Sequence, residues 1–475
     1  MKTSPSVSIR LALGLALALA AGAVTSRSEE VAVGVARVDV SPSGPIRLHG
    51  YLVRSTESTA VGHPIFAKAL AIGSDEQGPV VLISVDSLGV SAAIVDEVAA
   101  RLEKKAGLPR ERLALGASHT HSAPLLTGVA PNIFGKPIPP DQQARIDAYT
   151  REFTDKLEQV CLDALADRKP AKLSWAQGKV GFAANRRTAG GPVDHSLPVL
   201  KVESPDGQVR AVVTNYACHC TTIDPAENKV DGDWAGAAQR GIEADNPGCI
   251  ALTVVGCGAD SNPQPRRSSA DAETHGRAVA DEVARLMRGP WKPLAGPPSA
   301  AMERFELPYD ALPTKGDLEK LAAAGGPPGY NAAVQLAALE RDGKLPAALP
   351  YSAQAWKFGD DLLMVFLPGE VVVDYVLRIK KEFDPSRTWV SSYANDAPCY
   401  IPSERILKEG GYEGGGAMVY YARPTSFPTG LEQIILDAVH RVVGDGFAPP
   451  AAGPAARADD EHPPALSPED ALKTI

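Results

Sequence analysis

Two histidines, His119 and His121, close the stretch 113–122, which reads LALGASHTHS. Side chains at i and i+2 share one side of an extended segment, so the spacing predicts both imidazoles facing one cavity. Imidazole ligates metals and moves protons near neutral pH, so the pair suits either chemistry if partners exist. Other apolar runs in the chain also end in hydrophilic groups. Asp86 follows 80–85, His219 follows 209–217, and Asp260 with Ser261 follows 249–255. Glu370 ends the segment 366–370 (FLPGE), and Tyr400 lies in a turn-rich stretch after 389–394. Zinc takes His nitrogen with carboxylate oxygen and at a catalytic site keeps one position for water. Two histidines and Glu370 meet that need, with Tyr400 as an oxygen donor or a transition-state hydrogen bonder. Each residue also has a plainer role. His219 can be a hydrogen-bonded structural residue, Glu370 can favour a helix start through the dipole, and Tyr400 can pack.

The elements that would position these groups follow from apolar periodicity. Residues 31–40 alternate like a strand and stop at Ser41-Pro42-Ser43-Gly44-Pro45. Runs 66–72 and 80–85 have strand length, 92–102 has helical spacing, and the histidine stretch follows as another strand. Residues 141–168 form an amphipathic packing helix with Phe153, Leu157, Val160, Cys161 and Ala164 on one side. Strands follow at 173–182, 197–202, 209–217 and 249–255, with helices at 235–244 and 275–288. The Pro-rich stretch 290–298 reads as a crossing linker, and 318–324 with 332–341 as two short helices capping a site. A hairpin over 354–366, a helix opened by Glu370 and running to Ile379, a strand at 389–394 and a last helix at 429–443 complete the pattern. Strands alternating with helices, functional groups at strand ends, predict a mixed α/β (α+β) fold: one large catalytic domain of mixed sheets flanked by helices. No internal repeat is visible.

Composition bounds the partners. Of 475 residues, 44% are hydrophobic and 22% charged, an ordinary globular balance, and the net charge of −9 argues against nucleic acid. An acidic chain is also repelled by anionic membranes, so any lipid contact should be peripheral, apolar and local. Lys2 and Arg10 precede an apolar run, 11–21, followed by Ala21-Gly22-Ala23. That layout predicts a secretory signal peptide over 1–28 and export to the periplasm or medium. The catalytic domain is then 29–445, and 446–475, rich in Pro, Ala and acids, reads as a disordered tail. Six cysteines permit up to three disulfides in an oxidising compartment, but Cys218 and Cys220 beside His219 read as core packing.

The ordered set of motifs resembles the catalytic domain of the neutral (alkaline, non-lysosomal) ceramidases, from Val33-Gly34-Val35-Ala36 to the loop 410–416. Ser118-His119-Thr120-His121-Ser122 is similar to that family's SHTHS segment, which implies zinc on His119 and a place beside the scissile amide for His121. Ala217-Cys218-His219 resembles the strand end bearing the second zinc histidine. Gly258-Ala259-Asp260-Ser261-Asn262-Pro263 resembles the turn of the family's proposed catalytic serine, here Ser261. Leu367-Pro368-Gly369-Glu370 matches the Pro-Gly-Glu that supplies a zinc carboxylate. Tyr400 with Tyr412-Glu413-Gly414 is similar to a zinc tyrosine followed by an active-site tyrosine, and Asn185-Arg186 to an Asn-Arg pair whose Arg lies near substrate.

The resemblance therefore implies one zinc ion per chain on His119, His219, Glu370 and Tyr400, with His121, Tyr412, Arg186 and Ser261 acting on substrate. The implied substrate is a ceramide or related N-acyl lipid amide. The chain departs from the family after HTHS, with Ala123-Pro124-Leu125-Leu126 in place of glycines, and within the serine turn. The family's C-terminal immunoglobulin-like domain has no counterpart after Val443. These departures keep open a zinc hydrolase of a non-lipid amide or ester, and a non-catalytic exported binding protein of the same fold.

Overall fold

The computed structural model describes residues 30–449. The expected leader over 1–28 and residues 450–475 of the expected tail lie outside it. Among the described residues the chain builds a nine-stranded sheet, a four-stranded sheet and three two-stranded pairings. The large sheet runs in the order Ile250–Val255, Val209–Tyr216, Ser196–Glu203, Lys169–Lys179, Val31–Asp39, Phe66–Ile72, Val80–Val85, Leu113–Ala117. Its two terminal pairs are parallel and the pairs between them antiparallel.

The strand Val80–Val85 shows why the apolar runs are continuous rather than alternating. Val81, Ile83 and Val85 enter one core with the helices Ala92–Ala106 and Pro140–Ala166. Val80 and Leu82 enter a second core with Trp356, Phe358, Met364, Phe366 and Trp389 of the four-stranded sheet. A strand buried on both faces must be apolar at every position. The layers are thus helices, large sheet, smaller sheet, and the helix Leu431–Val443 packed on the strands Ser299–Pro308 and Ala348–Phe358. This is the mixed fold of sheets flanked by helices that the periodicity predicts.

The large sheet curls until its two ends touch. Ser84 Oγ donates to Thr253 O at 2.7 Å, and Lys68 Nζ donates to Ala251 O at 2.7 Å and to Glu243 Oε1 at 2.7 Å. Val254 occupies the space a Cβ on Gly116 would need. Curling brings the C-terminal ends of Leu113–Ala117, Val209–Tyr216 and Ile250–Val255 together, and these ends carry His119, His219 and Ser261.

Several elements differ from their sequence expectations. The two histidines do not lie on an extended strand, because the strand stops at Ala117 and His119 takes a left-handed backbone (φ 58°). Their rings still meet, edge to face at 4.9 Å, through the turn. Glu370 does not open a helix. It sits in the two-residue strand Glu370–Val371, and the helix begins at Val373, so the dipole role is not the one it plays. The stretch 290–298 holds the short strand Lys292–Leu294 on the edge of the large sheet, and the half-exposed strand Ser299–Pro308 lacks a clean alternation to announce it. The second of the two short helices starts at Gly326 and takes Pro327 and Pro328 into its first turn, where proline's fixed φ is tolerated. The helix pair packs behind Gly416–Tyr421, with Asn331 Nδ2 and Gln335 Nε2 donating to Arg423 O and Ala422 O. All six cysteines are buried and free, as core packing requires.

Gly258 sits where the ends of two strands cross. A Cβ there would stand 2.4 Å from Cys218 N and 2.6 Å from Ala217 C, both backbone atoms that cannot rotate away. Gly258→Ala should lower unfolding free energy by about 1–3 kcal/mol, read as a reduced urea midpoint.

Candidate metal centre

Backbone pairing delivers the site residues two at a time. Past the strand ends, Thr120 bridges Cys220 in parallel and His121 N donates to Cys220 O at 3.1 Å, which sets His119 beside His219. In one of the two-stranded pairings Glu370 and Tyr400 are direct partners in a parallel register, so their side chains leave the same face at the same level. The segment 391–395 locks the two halves together. Ser392 N donates to Val255 O, Tyr393 N to Gly369 O, and Asn395 N to Leu115 O, while Ala117 N donates to Tyr393 O.

The side chains converge on one buried point. His119 Nε2 and His219 Nε2 lie 3.3 and 3.2 Å from Glu370 Oε2. His121 Nε2 lies 3.2 Å from His119 Nε2, and Tyr400 Oη lies 3.3 Å from His219 Nε2. Four donors at bond lengths of about 2.0–2.2 Å around a tetrahedral ion stand about 3.3–3.6 Å apart, so the spacings fit one ion.

Tautomers sharpen the point. His119 Nδ1 is 2.6 Å from Leu88 O and His219 Nδ1 is 2.9 Å from Gly258 O. A carbonyl only accepts, so each Nδ1 carries the proton and each Nε2 turns a lone pair inward. Glu370 Oε2, buried between them, has no hydrogen-bond donor. With both Nδ1 atoms protonated, the Nε2 lone pairs of His119 and His219 face Glu370 Oε2 with no proton between nitrogen and carboxylate, an arrangement a cation would relieve. The donor set is nitrogen and oxygen, as zinc accepts. The nitrogens of His119, His121 and His219 also form a group whose ligand atoms lie within 4.8 Å of one another, so His121 is placed to reach the same ion.

Electrostatics hold the protonation states this requires. Burial pushes Glu370 toward neutrality, but His119 and His219 outweigh it and keep the carboxyl well below the usual range. Burial and the Arg186 charge lower His219 to about 4, and burial with its two histidine neighbours lowers His121 well below its ordinary value. Burial raises Tyr400 well above the phenol range while Arg186 acts against it.

Arg186 itself is buried beside the centre, where Tyr400 and Glu413 offset its desolvation and hold the guanidinium charged. It donates to Glu413 Oε1 at 2.7 Å and to Tyr400 Oη at 3.0 Å, and its charge lies 5.7 Å from the Tyr412 ring centroid. Tyr412 is half-buried with its ring 5.2 Å from that of Tyr400. Ser261 is fully buried and Oγ has no hydrogen-bond partner, so no side-chain base touches it.

The structure thus brings together all eight residues singled out in the sequence, and separates two other strand-end carboxylates from them. Asp86 accepts from Phe66 N and Gln239 Nε2, both at 3.0 Å. Asp260 accepts from Val373 N at 2.8 Å and from Asn185 Nδ2 at 3.1 Å, with burial raising it to about 6. Both carboxylates are taken up by backbone and amide donors that tie neighbouring strands and helices together. Sequence reasoning missed Tyr421, whose hydroxyl donates to Glu370 Oε1, and Tyr393, whose ring stacks on His119 at 4.1 Å. It missed buried His49 as well, which burial lowers to about 3. None of the three belongs to a motif or ends a strand, so only the folded neighbourhood reveals them.

Residues 31–254 match the family model described as neutral/alkaline non-lysosomal ceramidase, N-terminal. Over these residues, a little under half of the chain, the sequence is similar to the neutral ceramidase family. The match includes His119, His121, Arg186 and His219 and ends before Ser261, Glu370, Tyr400 and Tyr412. Two solved structures extend the ceramidase likeness as fold. One, entitled "Ceramidase complexed with C2", superposes with a TM-score of 0.68 at 18% identity, covering 90% of this chain and 77% of that chain. The neutral ceramidase of Pseudomonas aeruginosa gives 0.66 at 18% identity with the same coverage. Comparison with curated proteins gives no match.

Two outcomes follow from the site geometry. Tyr421→Phe should weaken metal affinity about 10–100-fold, because it strips the outer carboxylate oxygen of Glu370 of its donor; chelator competition measures this. His219 lies at about 4 when folded against 6.5 ordinarily. The unfolded chain therefore binds the extra proton between those values, and stability must fall as pH drops from about 6.5 toward 4. For the metal-free protein the loss should be on the order of 3 kcal/mol from this residue, read from urea midpoints across that window.

Proposed function

We propose that this protein is a zinc-dependent amidohydrolase cleaving the N-acyl amide bond of ceramide or a related N-acyl lipid. The observation that carries the reading is the convergence of His119 Nε2, His219 Nε2 and Glu370 Oε2 on one point, with Tyr400 Oη 3.3 Å from His219 Nε2. Bound there, zinc would supply Lewis acidity toward the amide carbonyl and lower the pKa of a water toward about 7. The likeness to a ceramidase complex with C2 supports an N-acyl substrate, as does the family match over 31–254.

The chain's own residues do the rest. His121 and Tyr412, both half-buried beside the centre, would donate to the oxygen that becomes anionic. Such a donor is worth about 3 kcal/mol in other hydrolases. Arg186, fixed by Glu413, orients a polar part of the substrate and holds Tyr400 in place. Ser261 lacks a base within reach, which favours orienting a water over acting as nucleophile. Export to the periplasm or medium is part of the proposal, and fractionation of expressing cells tests it.

Purified protein should carry about one zinc per chain, and His119→Ala should abolish it. His121→Ala should keep the metal and lose about 10²–10³ in kcat, because its role is toward substrate. Substoichiometric zinc in the parent protein would refute the metal assignment. Turnover of short N-acyl amino acids without turnover of any lipid amide would move the substrate to the non-lipid class.

A further inference from the structure

Tyr393 carries two costs that its own packing does not offset. Its backbone is left-handed (φ 53°), a region that suits glycine or asparagine and is unfavourable for a bulky aromatic residue. Its side chain is buried, and its hydroxyl has no hydrogen-bond partner. Other deeply buried tyrosines do not leave that donor idle. Tyr216 donates to Val180 O at 2.9 Å, Tyr351 to Pro368 O at 2.7 Å and Tyr375 to Pro402 O at 3.1 Å. An unmet buried donor is destabilising, and phenylalanine would fill the same space without it.

Both costs fall at the centre. The Tyr393 ring stacks on His119 at 4.1 Å with the planes 28° apart, and meets His219 edge to face at 6.2 Å. Its N–H donates to Gly369 O at 2.9 Å and its carbonyl accepts from Ala117 N at 3.2 Å, which holds the ring there. Stacking explains the ring but not the hydroxyl, because a phenylalanine would stack as well. The hydroxyls of Tyr421 and Tyr400 are engaged by Glu370 and Arg186, so they do not share this feature. Backbone strain and an unmet donor kept on one residue beside a buried centre point to function rather than folding. We propose that the Tyr393 hydroxyl is a substrate-recognition group, donating to a neutral carbonyl or hydroxyl oxygen of the bound N-acyl amide. This deepens the amidohydrolase reading and rests on it. His121 and Tyr412 serve the oxygen that becomes anionic, so Tyr393 acts on binding rather than on the reaction step.

Tyr393→Phe tests the assignment, since the variant keeps the ring on His119 and removes only the donor. Zinc content should stay at the parent's level, and the urea midpoint should hold or rise because the unmet donor is gone. On whichever N-acyl amide the parent turns over, KM should rise about tenfold while kcat changes by less than about twofold. An unchanged KM overturns the proposal. So does a fall in kcat at constant KM, which would move the hydroxyl to the reaction step. A lowered urea midpoint or lost zinc also overturns it, because the hydroxyl would then serve the fold or the metal. A parent protein that hydrolyses neither ceramide nor short N-acyl amino acids removes the hydrolase reading and this proposal with it, whereas an active parent with an equally active variant removes the proposal alone.

Discussion

Several electron-pair donors aimed at one buried point repel each other, and the fold must be stiff enough to hold them there. Helix packing alone would not suffice, since helices slide against each other more readily than hydrogen-bonded backbone. This chain uses backbone pairing instead. The Thr120–Cys220 bridge fixes the two histidine turns and the Glu370–Tyr400 register fixes the two oxygen donors. Segment 391–395 then hydrogen-bonds to both halves. A displacement of one donor would require breaking a ladder, which explains how His119 is kept in a left-handed conformation that costs about 1–2 kcal/mol.

The surrounding shell continues the same logic. Carbonyls of Leu88 and Gly258 set the histidine tautomers, Tyr421 holds the outer oxygen of Glu370, and Arg186 bridges Tyr400 to Glu413. Each contact comes from a different part of the chain, so the centre integrates the ends of the large sheet, the two-stranded Glu370–Tyr400 pairing and the loop 410–421. Close backbone approach is part of the design. Gly116 admits Val254 and Gly258 admits the backbone of Cys218. A bulkier side chain at either position would uncurl the sheet and pull the histidines apart.

The fold is similar to that of two solved ceramidases at 18% identity. A shared fold does not by itself assign a reaction. The functional reading therefore leans on the geometry of this centre and on the unprotonated nitrogen and oxygen atoms that meet there.

The sequence by itself determined most of the local elements and named the candidate site residues. Runs such as 66–72 and 80–85 coincide with strands because both faces are buried, and the helices Ala92–Ala106 and Leu431–Val443 follow from apolar residues at helical spacing. His119, His219, Glu370 and Tyr400 were legible because motif and strand-end position marked them. What only the tertiary structure decided was how they meet. The turn at His119, the placement of Glu370 in a two-residue strand, the reach of His121 to the ion's position, and the partners Tyr421, Tyr393 and His49 have no periodic signal. They depend on long-range pairing between segments more than a hundred residues apart, and on the curl of a sheet whose two ends have to touch before the centre exists.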